Sequence, residues 1–211
     1  MRKESIVPIV LAAGSAGELD FPKALARFGR KTAAEIALAN CYGVARPILV
    51  LGERAAEIQR FLPVTALSGM ECVINRRWRR GQLTSLWAGL RHVPPTDAFM
   101  LYPVDMPLLT RDIICRLIHR YRNCPSYPCI VMPQRGGRYG HPVIFSPDLR
   151  GEIMSARTAR DVAYRDPVRI FTVAVRTSTI WTDFRTPTEY VYCKRRFAHL
   201  HSSPPNIRAN K

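Results

Sequence analysis

The hydrophobic positions of the chain predict short strands that alternate with helices. Apolar runs of strand length occur at residues 6–13, 46–51, 71–74, 98–104, 129–132 and 168–175. Helical spacing of apolar or alanine-rich positions occurs at residues 32–41, 53–61, 81–93, 110–121, 147–154, 158–164 and 187–199. This order predicts an α/β protein with three layers, α/β/α, and a mainly parallel sheet.

The apolar content is sufficient for one globular domain. The chain has 211 residues, of which 47% are hydrophobic, so it can bury a full core. The last residues have no acidic side chain and little apolar content, which is typical of a disordered segment. We therefore predict a domain over residues 1–197 and a disordered basic tail over residues 198–211.

The charge is strongly basic, with 32 Lys and Arg against 16 Asp and Glu, for a net charge of +16. Such a surplus favours polyanionic partners: nucleotides and other phosphate ligands, nucleic acid or an anionic membrane. Because the basic residues are dispersed along the chain, a solvated basic surface is an equally good interpretation.

No segment predicts membrane insertion or export. No run reaches the roughly 18 apolar residues that span a bilayer. Arg2 and Lys3 precede an apolar run, as in a secretory signal, but Glu4 and Pro8 interrupt that pattern. The six scattered cysteines suggest reduced thiols. We expect a cytoplasmic protein without a membrane partner. The sequence pattern does not indicate the oligomeric state.

Four polar features follow predicted strands, where ligands of open α/β sheets bind. They are Gly14–Lys23, Asn75–Ser85, Asp105 and the Gly140-His141-Pro142 turn. A glycine loop that ends on a lysine can present backbone N–H groups and one cation to phosphates. The loop matches neither GxxxxGK[ST] nor GxGxxG, so it predicts neither a P-loop NTPase nor a classical dinucleotide binder.

Together these segments resemble the MobA/MocA-like nucleotidyltransferases. LAAG at Leu11–Gly14 with Lys23 is similar to the signature loop of that family, and residues 75–90 match its N-x-x-W-x-x-G-x-x-x-S-L-x-x-G-L segment. PVDMPLLT at residues 103–110, GHPV at residues 140–143 and TDFRTPTEY at residues 182–190 resemble its remaining segments in family order.

This resemblance implies a Rossmann-like fold of the GT-A type with a mixed, mainly parallel sheet. It also implies transfer of a nucleoside monophosphate from an NTP to an anionic phosphorylated acceptor such as molybdopterin cofactor. It implies Mg²⁺ as cofactor and CTP rather than GTP as donor, since the guanylyltransferase loop has glycine in place of Ala13. The implied catalytic residues are Lys23 and Asp105, and the implied metal ligands are Asp105 and Asp183. The implied nucleotide-binding residues are Leu11, Ala12, Ala13, Gly14, Lys23, Asn75, Gly81 and Ser85, and the implied acceptor-binding residues are His141, Arg79 and Arg80.

Each of these residue types also has a plain structural interpretation. Asp105 and Asp183 can cap turns or helices, and Asn75 with Ser85 can form a helix N-terminus. Lys23 and the arginines at residues 76–80 can belong to a solvated face, and His141 can be a loop histidine.

The chain departs from the family pattern in the signature loop and in the closing segment. Ala16, Glu18 and Asp20 stand where the family has serine, arginine and glycine, and Arg185 stands where it has a second acid. Glu18 places negative charge where a triphosphate is expected.

We predict an active nucleotidyltransferase, in which Arg27, Arg30 or the arginines of residues 76–80 replace the lost cation. The alternative is a catalytically silent family member that binds a nucleotide, a cofactor or a partner protein. A nucleic-acid binder ranks last, because the interleaved aromatic residues of a stacking platform are missing.

Overall fold

Parallel strands on both sides of a central first strand form the framework of the molecule. The computed structural model describes residues 4–202. The strands are β1 (Ile6–Ala12), β2 (Arg27–Phe28), β3 (Lys31–Thr32), β4 (Ile48–Leu51), β5 (Glu71–Ile74), β6 (Ala98–Pro103), β7 (Ile130–Arg135), β8 (Arg138–Tyr139), β9 (Val143–Phe145) and β10 (Ile170–Ala174). The helices are α1 (Ala33–Asn40), α2 (Ala55–Phe61), α3 (Val64–Ser68), α4 (Gln82–Leu90), α5 (Arg111–Arg122), α6 (Arg150–Ser155), α7 (Ala159–Arg165) and α8 (Pro187–Ser202).

The main sheet has the strand order β10-β7-β9-β6-β1-β4-β5, with β8 paired to β7. Strand β9 is antiparallel to both of its neighbours, whereas β1 is parallel to β4 and to β6. From β1 the chain proceeds outward to β4 and β5, and α4 then returns it to the other side of β1. The carboxyl ends of β1 and β6 therefore mark the switch point of the sheet, where α/β proteins of this type bind ligands.

Two hydrophobic layers enclose the sheet. Helices α1, α2, α5 and α8 contribute to the core on one face, and α4, α6 and α7 contribute to the core on the other. Strand β1 is buried throughout and serves both layers, with Val10 on one face and Ile9 on the other. This arrangement confirms the predicted α/β/α layers and mixed, mainly parallel sheet.

Helix α4 lies directly on the central strands because Gly89 has no side chain. A Cβ atom at Gly89 would lie 2.5 Å from Ile9 Cγ2 and 3.0 Å from Val50 Cγ2. Since these distances are shorter than van der Waals contact, a larger residue would push the helix away from the sheet. The N-terminus of α4, and the loop that precedes it, are thereby held near the ends of β1 and β4.

The C-terminal helix packs on the small β2–β3 hairpin. Tyr190 Oη accepts a hydrogen bond from Arg27 N and donates one to Arg27 O, at 3.1 and 2.9 Å. Phe28 lies within 5.7 Å of the rings of Phe184, Tyr190 and Phe197, measured between centroids. These aromatic contacts fix the segment of residues 183–186, which enters the candidate site.

Several details differ from the sequence prediction. The pattern missed the β2–β3 hairpin and α3, since two-residue strands and a five-residue helix are too short for a clear period. Helix α8 extends to Ser202 rather than ending near Phe197 or His199, so residues 198–202 are helical rather than a disordered tail. The ring of His201 stacks on that of Phe197, with 4.0 Å between the ring centroids. The rest of the predicted tail lies outside the described residues.

Helix starts also refine the prediction. Thr32 caps α1 and forms a reciprocal capping box with Glu35. Thr110 occupies the N-cap position of α5, but its hydroxyl makes no capping hydrogen bond. All six cysteines are free thiols. Among the described helices, none combines the length and apolar character that a membrane crossing requires.

Candidate functional site

The loop after β1 is held by a glutamate that follows the neighbouring strand β4. Glu53 Oε2 accepts a hydrogen bond from Ala16 N at 2.9 Å, and Glu53 N donates one to Ala13 O at 3.2 Å. Gly17 adopts a φ of +69°, which favours glycine. From the sequence, Glu53 is only the first residue of the helix predicted over residues 53–61. Its position after a strand adjacent to β1 was the signal for this second role.

Lys23 and Asp105 meet at the switch point of the sheet. Lys23 begins a short 3₁₀ turn after the loop, and Asp105 follows β6. Lys23 Nζ lies 3.2 Å from Asp105 Oδ2, with the two side chains 15% and 20% exposed. Burial raises the pKa of Asp105, the nearby charge of Lys23 opposes this shift, and the charge of Asp183 adds to it. The structure thus brings these two predicted site residues together.

Asp183 lies close to Asp105 because the closing segment is tied to the strand end. Phe184 N donates a hydrogen bond to Asp105 O at 3.2 Å, and the Phe184 side chain is fully buried. Asp183 Oδ2 accepts a hydrogen bond from Arg185 Nε at 2.9 Å. The two carboxylates thus lie on adjacent segments, and each has a cationic partner of its own.

A cavity of about 350 Å³ opens beside these residues. Most of the predicted site residues line it: Leu11, Ala12, Ala13, Gly14, Lys23, Arg79, Gly81, Ser85 and Asp105. Ser15, Trp78, Gln82, Pro103 and Val104 complete its walls. Its volume is within the range of small-molecule sites. Asn75, Arg80, His141 and Asp183 do not line it, although Asp183 is close to Asp105 and Asn75 is bonded to Ser85.

A second cavity, of about 450 Å³, lies at the opposite edge of the sheet. Its walls come from the end of α1, the segment before β4 and the region of α3, including Leu38, Tyr42 and Met70. It is larger than the cavity at the switch point, but its described lining residues form no ion pair comparable to that of Lys23 and Asp105. We therefore place the candidate site at the smaller cavity.

Asn75 is engaged in the protein rather than directed at a ligand. Its Nδ2 donates to Thr84 Oγ1 at 2.9 Å and to Ser85 Oγ at 3.0 Å, and its Oδ1 accepts from Arg77 N at 2.9 Å. These bonds hold the first turn of α4 against the end of β5. The structure supports the helix-terminus interpretation for Asn75, while Ser85 is part of the same network and also lines the cavity.

The arginines of residues 76–80 form an exposed basic rim. The guanidinium group of Arg79 lies 4.6 Å from the centre of the Trp78 ring, and both residues line the cavity. Within residues 4–202, no ion pair to an acidic residue is present for Arg76, Arg77, Arg79 or Arg80. This rim is available to an anion that approaches the cleft.

His141 lies near Asp183 but outside the cavity lining. Its backbone N donates to Ile180 O at 2.7 Å, and its buried Nδ1 has no hydrogen-bond partner. Burial lowers the pKa of His141 to about 4, although the charge of Asp183 favours the protonated form. His141 is therefore a neutral imidazole near pH 7 and contributes no positive charge to an acceptor.

The comparisons with known proteins agree with this geometry. Residues 8–170 match the family model of the MobA-like NTP transferase domain. The chain belongs to this family. The predicted resemblance is thereby confirmed over most of the molecule. No curated protein sequence matches the chain.

Solved structures show the same fold. Rv0371c of Mycobacterium tuberculosis H37Rv is 26% identical, with a TM-score of 0.76, and the match covers 94% of this chain and 100% of that chain. Rv0371c in complex with manganese is 24% identical, with a TM-score of 0.72, and covers 90% and 98%. A Methanothermobacter nucleotidyl transferase is 20% identical, with a TM-score of 0.78, and covers 94% and 100%. The GT-A-like fold class of this MobA-like protein is therefore confirmed.

Proposed function

We propose that the chain transfers a nucleoside monophosphate, CMP by preference, from an NTP to a phosphorylated acceptor such as molybdopterin cofactor, and releases pyrophosphate. The observation that carries this proposal is the meeting of Lys23 and Asp105 beside the backbone of residues 11–14, at the switch point of the sheet. Membership of a nucleotidyltransferase family supports the reaction class.

The reaction requires alignment and charge neutralisation more than covalent work by the protein. An oxygen of the acceptor phosphate attacks the α-phosphorus of the NTP, and the bond from that phosphorus to the pyrophosphate oxygen breaks. The backbone of Ala12–Gly14 and the Lys23 ammonium would position the phosphates and neutralise the charge that develops on the leaving pyrophosphate. The loop is well suited to this role because Glu53 fixes its backbone.

The two carboxylates fit a divalent metal ion. Mg²⁺ commonly binds through one or two carboxylates, with substrate phosphate oxygens and water as the other ligands. Asp105 and Asp183 provide such a pair, and each uses Oδ2 for its cationic partner. No group of three or more metal-binding side chains was found in the described part of the chain, so the protein alone offers too few ligands for a closed site. A bound metal would supply charge stabilisation at the phosphates.

The acceptor would approach across the basic rim. Arg79 lies at the cavity wall on Trp78, and Arg80 is exposed beside it. Both are suited to the anionic group of a phosphorylated acceptor. His141 would offer the acceptor a hydrogen bond rather than a charge, since its imidazole is neutral, and it does not line the cavity.

The experiment incubates the protein with CTP, GTP, ATP or UTP in the presence of Mg²⁺ and molybdopterin, and it measures the release of pyrophosphate. We expect release with CTP, and a loss of about 100-fold in Lys23→Gln because a phosphate-binding cation is removed. Lys31→Gln is the matched control, since Lys31 is an exposed residue of β3 and should leave the rate unchanged. If neither the wild type nor Glu18→Arg releases pyrophosphate with any nucleotide, the proposed nucleotidyltransferase activity is wrong.

One observation favours a second candidate, a catalytically silent family member. Both carboxylates already carry a protein cation, Lys23 on Asp105 and Arg185 on Asp183, so the site is balanced in charge without a metal ion. A silent binder would show a thermal shift with CTP or GTP and no pyrophosphate release under any metal condition.

A further inference from the structure

The closing segment brings an arginine to the pair of carboxylates beside the candidate cavity. Arg185 Nε lies 2.9 Å from Asp183 Oδ2, and Asp183 is adjacent to Asp105 through the Phe184–Asp105 backbone hydrogen bond. The charges along this side are therefore Lys23, Asp105, Asp183 and Arg185, a cation at each end of two carboxylates. The two cations differ in their surroundings: the Lys23 side chain is 15% exposed and the Arg185 side chain is 72% exposed.

The backbone of Arg185 is fixed although its side chain is open to solvent. Glu189 Oε2 accepts hydrogen bonds from Arg185 N at 2.7 Å and from Thr186 N at 3.0 Å. Phe184, the preceding residue, is buried in the aromatic cluster around Phe28. The guanidinium group can thus exchange partners by side-chain rotation alone, without movement of the segment.

Arg185 also lies against the tip of the loop after β1. A Cβ atom added to Gly17 would be 3.1 Å from the Arg185 carbonyl oxygen. The residue after Gly17 is Glu18, which is exposed and negative. A triphosphate held by this loop would meet Glu18 as a like charge and would find Arg185 on the adjacent segment.

We propose that Arg185 is a second phosphate-binding cation of this site, placed opposite Lys23. Without nucleotide it pairs with Asp183, and with nucleotide it transfers to the phosphates. The inference rests on the proposed function for the identity of the ligand, an NTP, but the cation role concerns any triphosphate. A guanidinium group suits this exchange because its planar donors match both carboxylate and phosphate oxygens.

The proposal predicts opposite effects of one substitution on two ligands. In Arg185→Gln, Asp183 loses its cationic partner, so Mn²⁺ alone should bind about 3- to 10-fold more tightly. Inorganic tripolyphosphate, in the presence of saturating Mn²⁺, should bind about 10-fold more weakly because a charge-assisted hydrogen bond is lost. Arg185→Lys should recover part of the tripolyphosphate affinity, since it keeps the charge but not the planar donor group.

The measurements are electron paramagnetic resonance for Mn²⁺ and isothermal titration calorimetry for tripolyphosphate and CTP. Arg195→Gln is the control, because Arg195 is an exposed arginine of α8 and should change neither affinity. Thermal unfolding of each variant verifies that it is folded.

The outcomes separate this inference from the proposed function. If Arg185→Gln binds tripolyphosphate as tightly as the wild type does, Arg185 is only an ion-pair partner and the inference is wrong, whatever the activity. If tripolyphosphate binding depends on Arg185 but no NTP gives pyrophosphate release, the inference stands and the proposed function fails. If the wild type binds neither tripolyphosphate nor CTP, both are wrong.

Discussion

The two sides of the cleft are both polar, but they use their polar groups differently. On the α4 side, Asn75 bonds to Thr84, Ser85 and the Arg77 backbone, so its side-chain donor and acceptor atoms are engaged within the protein. On the β1–β6 side, Lys23, Asp105, Asp183 and Arg185 form two ion pairs between charged groups. Charged groups can exchange these partners for a metal ion or a phosphate.

This difference indicates a structural role for the Asn75 network and a ligand-binding role for the charged groups. A fully bonded network of neutral groups stabilises one geometry and gains nothing from a ligand. Burial and the nearby charge of Asp183 raise the pKa of Asp105, so its ionised form is disfavoured in the folded protein. Additional positive charge from a ligand would stabilise the two ionised carboxylates. Substitutions in the two sets should therefore affect different properties: stability for Asn75 and its hydrogen-bond network, and ligand binding or turnover for the charged groups of the β1–β6 side.

The largest expected effect is that of Asp105→Asn. We expect pyrophosphate release to fall by at least about 100-fold, because one of two proposed metal ligands is neutralised. The free energy of unfolding should not fall, because the substitution removes a charge whose burial opposes folding. Rates and urea unfolding curves of the same preparations test both parts. A large loss of stability would instead place Asp105 among the structural residues.

Asn75→Ala should have the opposite profile. Removal of the amide leaves the Arg77 N–H and the Thr84 and Ser85 hydroxyls with fewer partners, so the free energy of unfolding should fall by about 1–3 kcal/mol. Activity per folded molecule should stay within about 10-fold of the wild type. Ser85→Ala, which removes one bond of the network, is the smaller matched change. A loss of turnover without a loss of stability would show that Asn75 contacts substrate.

His141 sharpens the comparison because it lies on the charged side and is itself uncharged. Its pKa is lowered from 6.5 to about 4 by burial, so between these values the unfolded chain binds more protons than the folded chain. Stability should therefore rise with pH across this window and fall as the pH drops from 6.5 toward 4. Urea unfolding at pH 4.5, 5.5 and 7 should show a smaller change in His141→Gln than in the wild type. An equal change in both would exclude His141 as the source.

The smallest expected effect is that of Glu18→Arg. Since Glu18 is exposed, reversal of its charge should raise CTP affinity only several-fold at low salt, and 0.5 M salt should remove most of the gain. Asp148→Arg is the control, an exposed acid after β9 with the same charge change at the opposite edge of the sheet. Calorimetric titrations at two salt concentrations distinguish the variants. An equal gain in both would indicate a general charge effect.

The fold and the frame of the site could be predicted from the sequence because both depend on local patterns. The apolar runs that form β1, β4 and β6 marked the strands, and strand ends in a parallel sheet share one edge, which brought Lys23 and Asp105 together. The motif order then indicated the family, which the match over residues 8–170 confirmed.

The remaining features depend on distances between segments that no local pattern encodes. The hydrogen bonds of Glu53 to the loop after β1, and those of Asn75 within its own segment, required the packed positions of β4 and α4. The sequence marked Arg185 only as a departure from a pattern. Its position beside Gly17 depends on how the closing segment packs against the loop after β1.

A metal-dependent nucleotide site at Lys23 and Asp105 is tested most directly by electron paramagnetic resonance. The experiment measures the binding of Mn²⁺, with and without CTP, to the wild type and to Asp105→Asn. We expect CTP and Mn²⁺ to strengthen each other's binding in the wild type, and this coupling to disappear in Asp105→Asn while the variant remains folded. CTP binding that is absent in the wild type, or that couples to Mn²⁺ equally in both proteins, would contradict the proposed site.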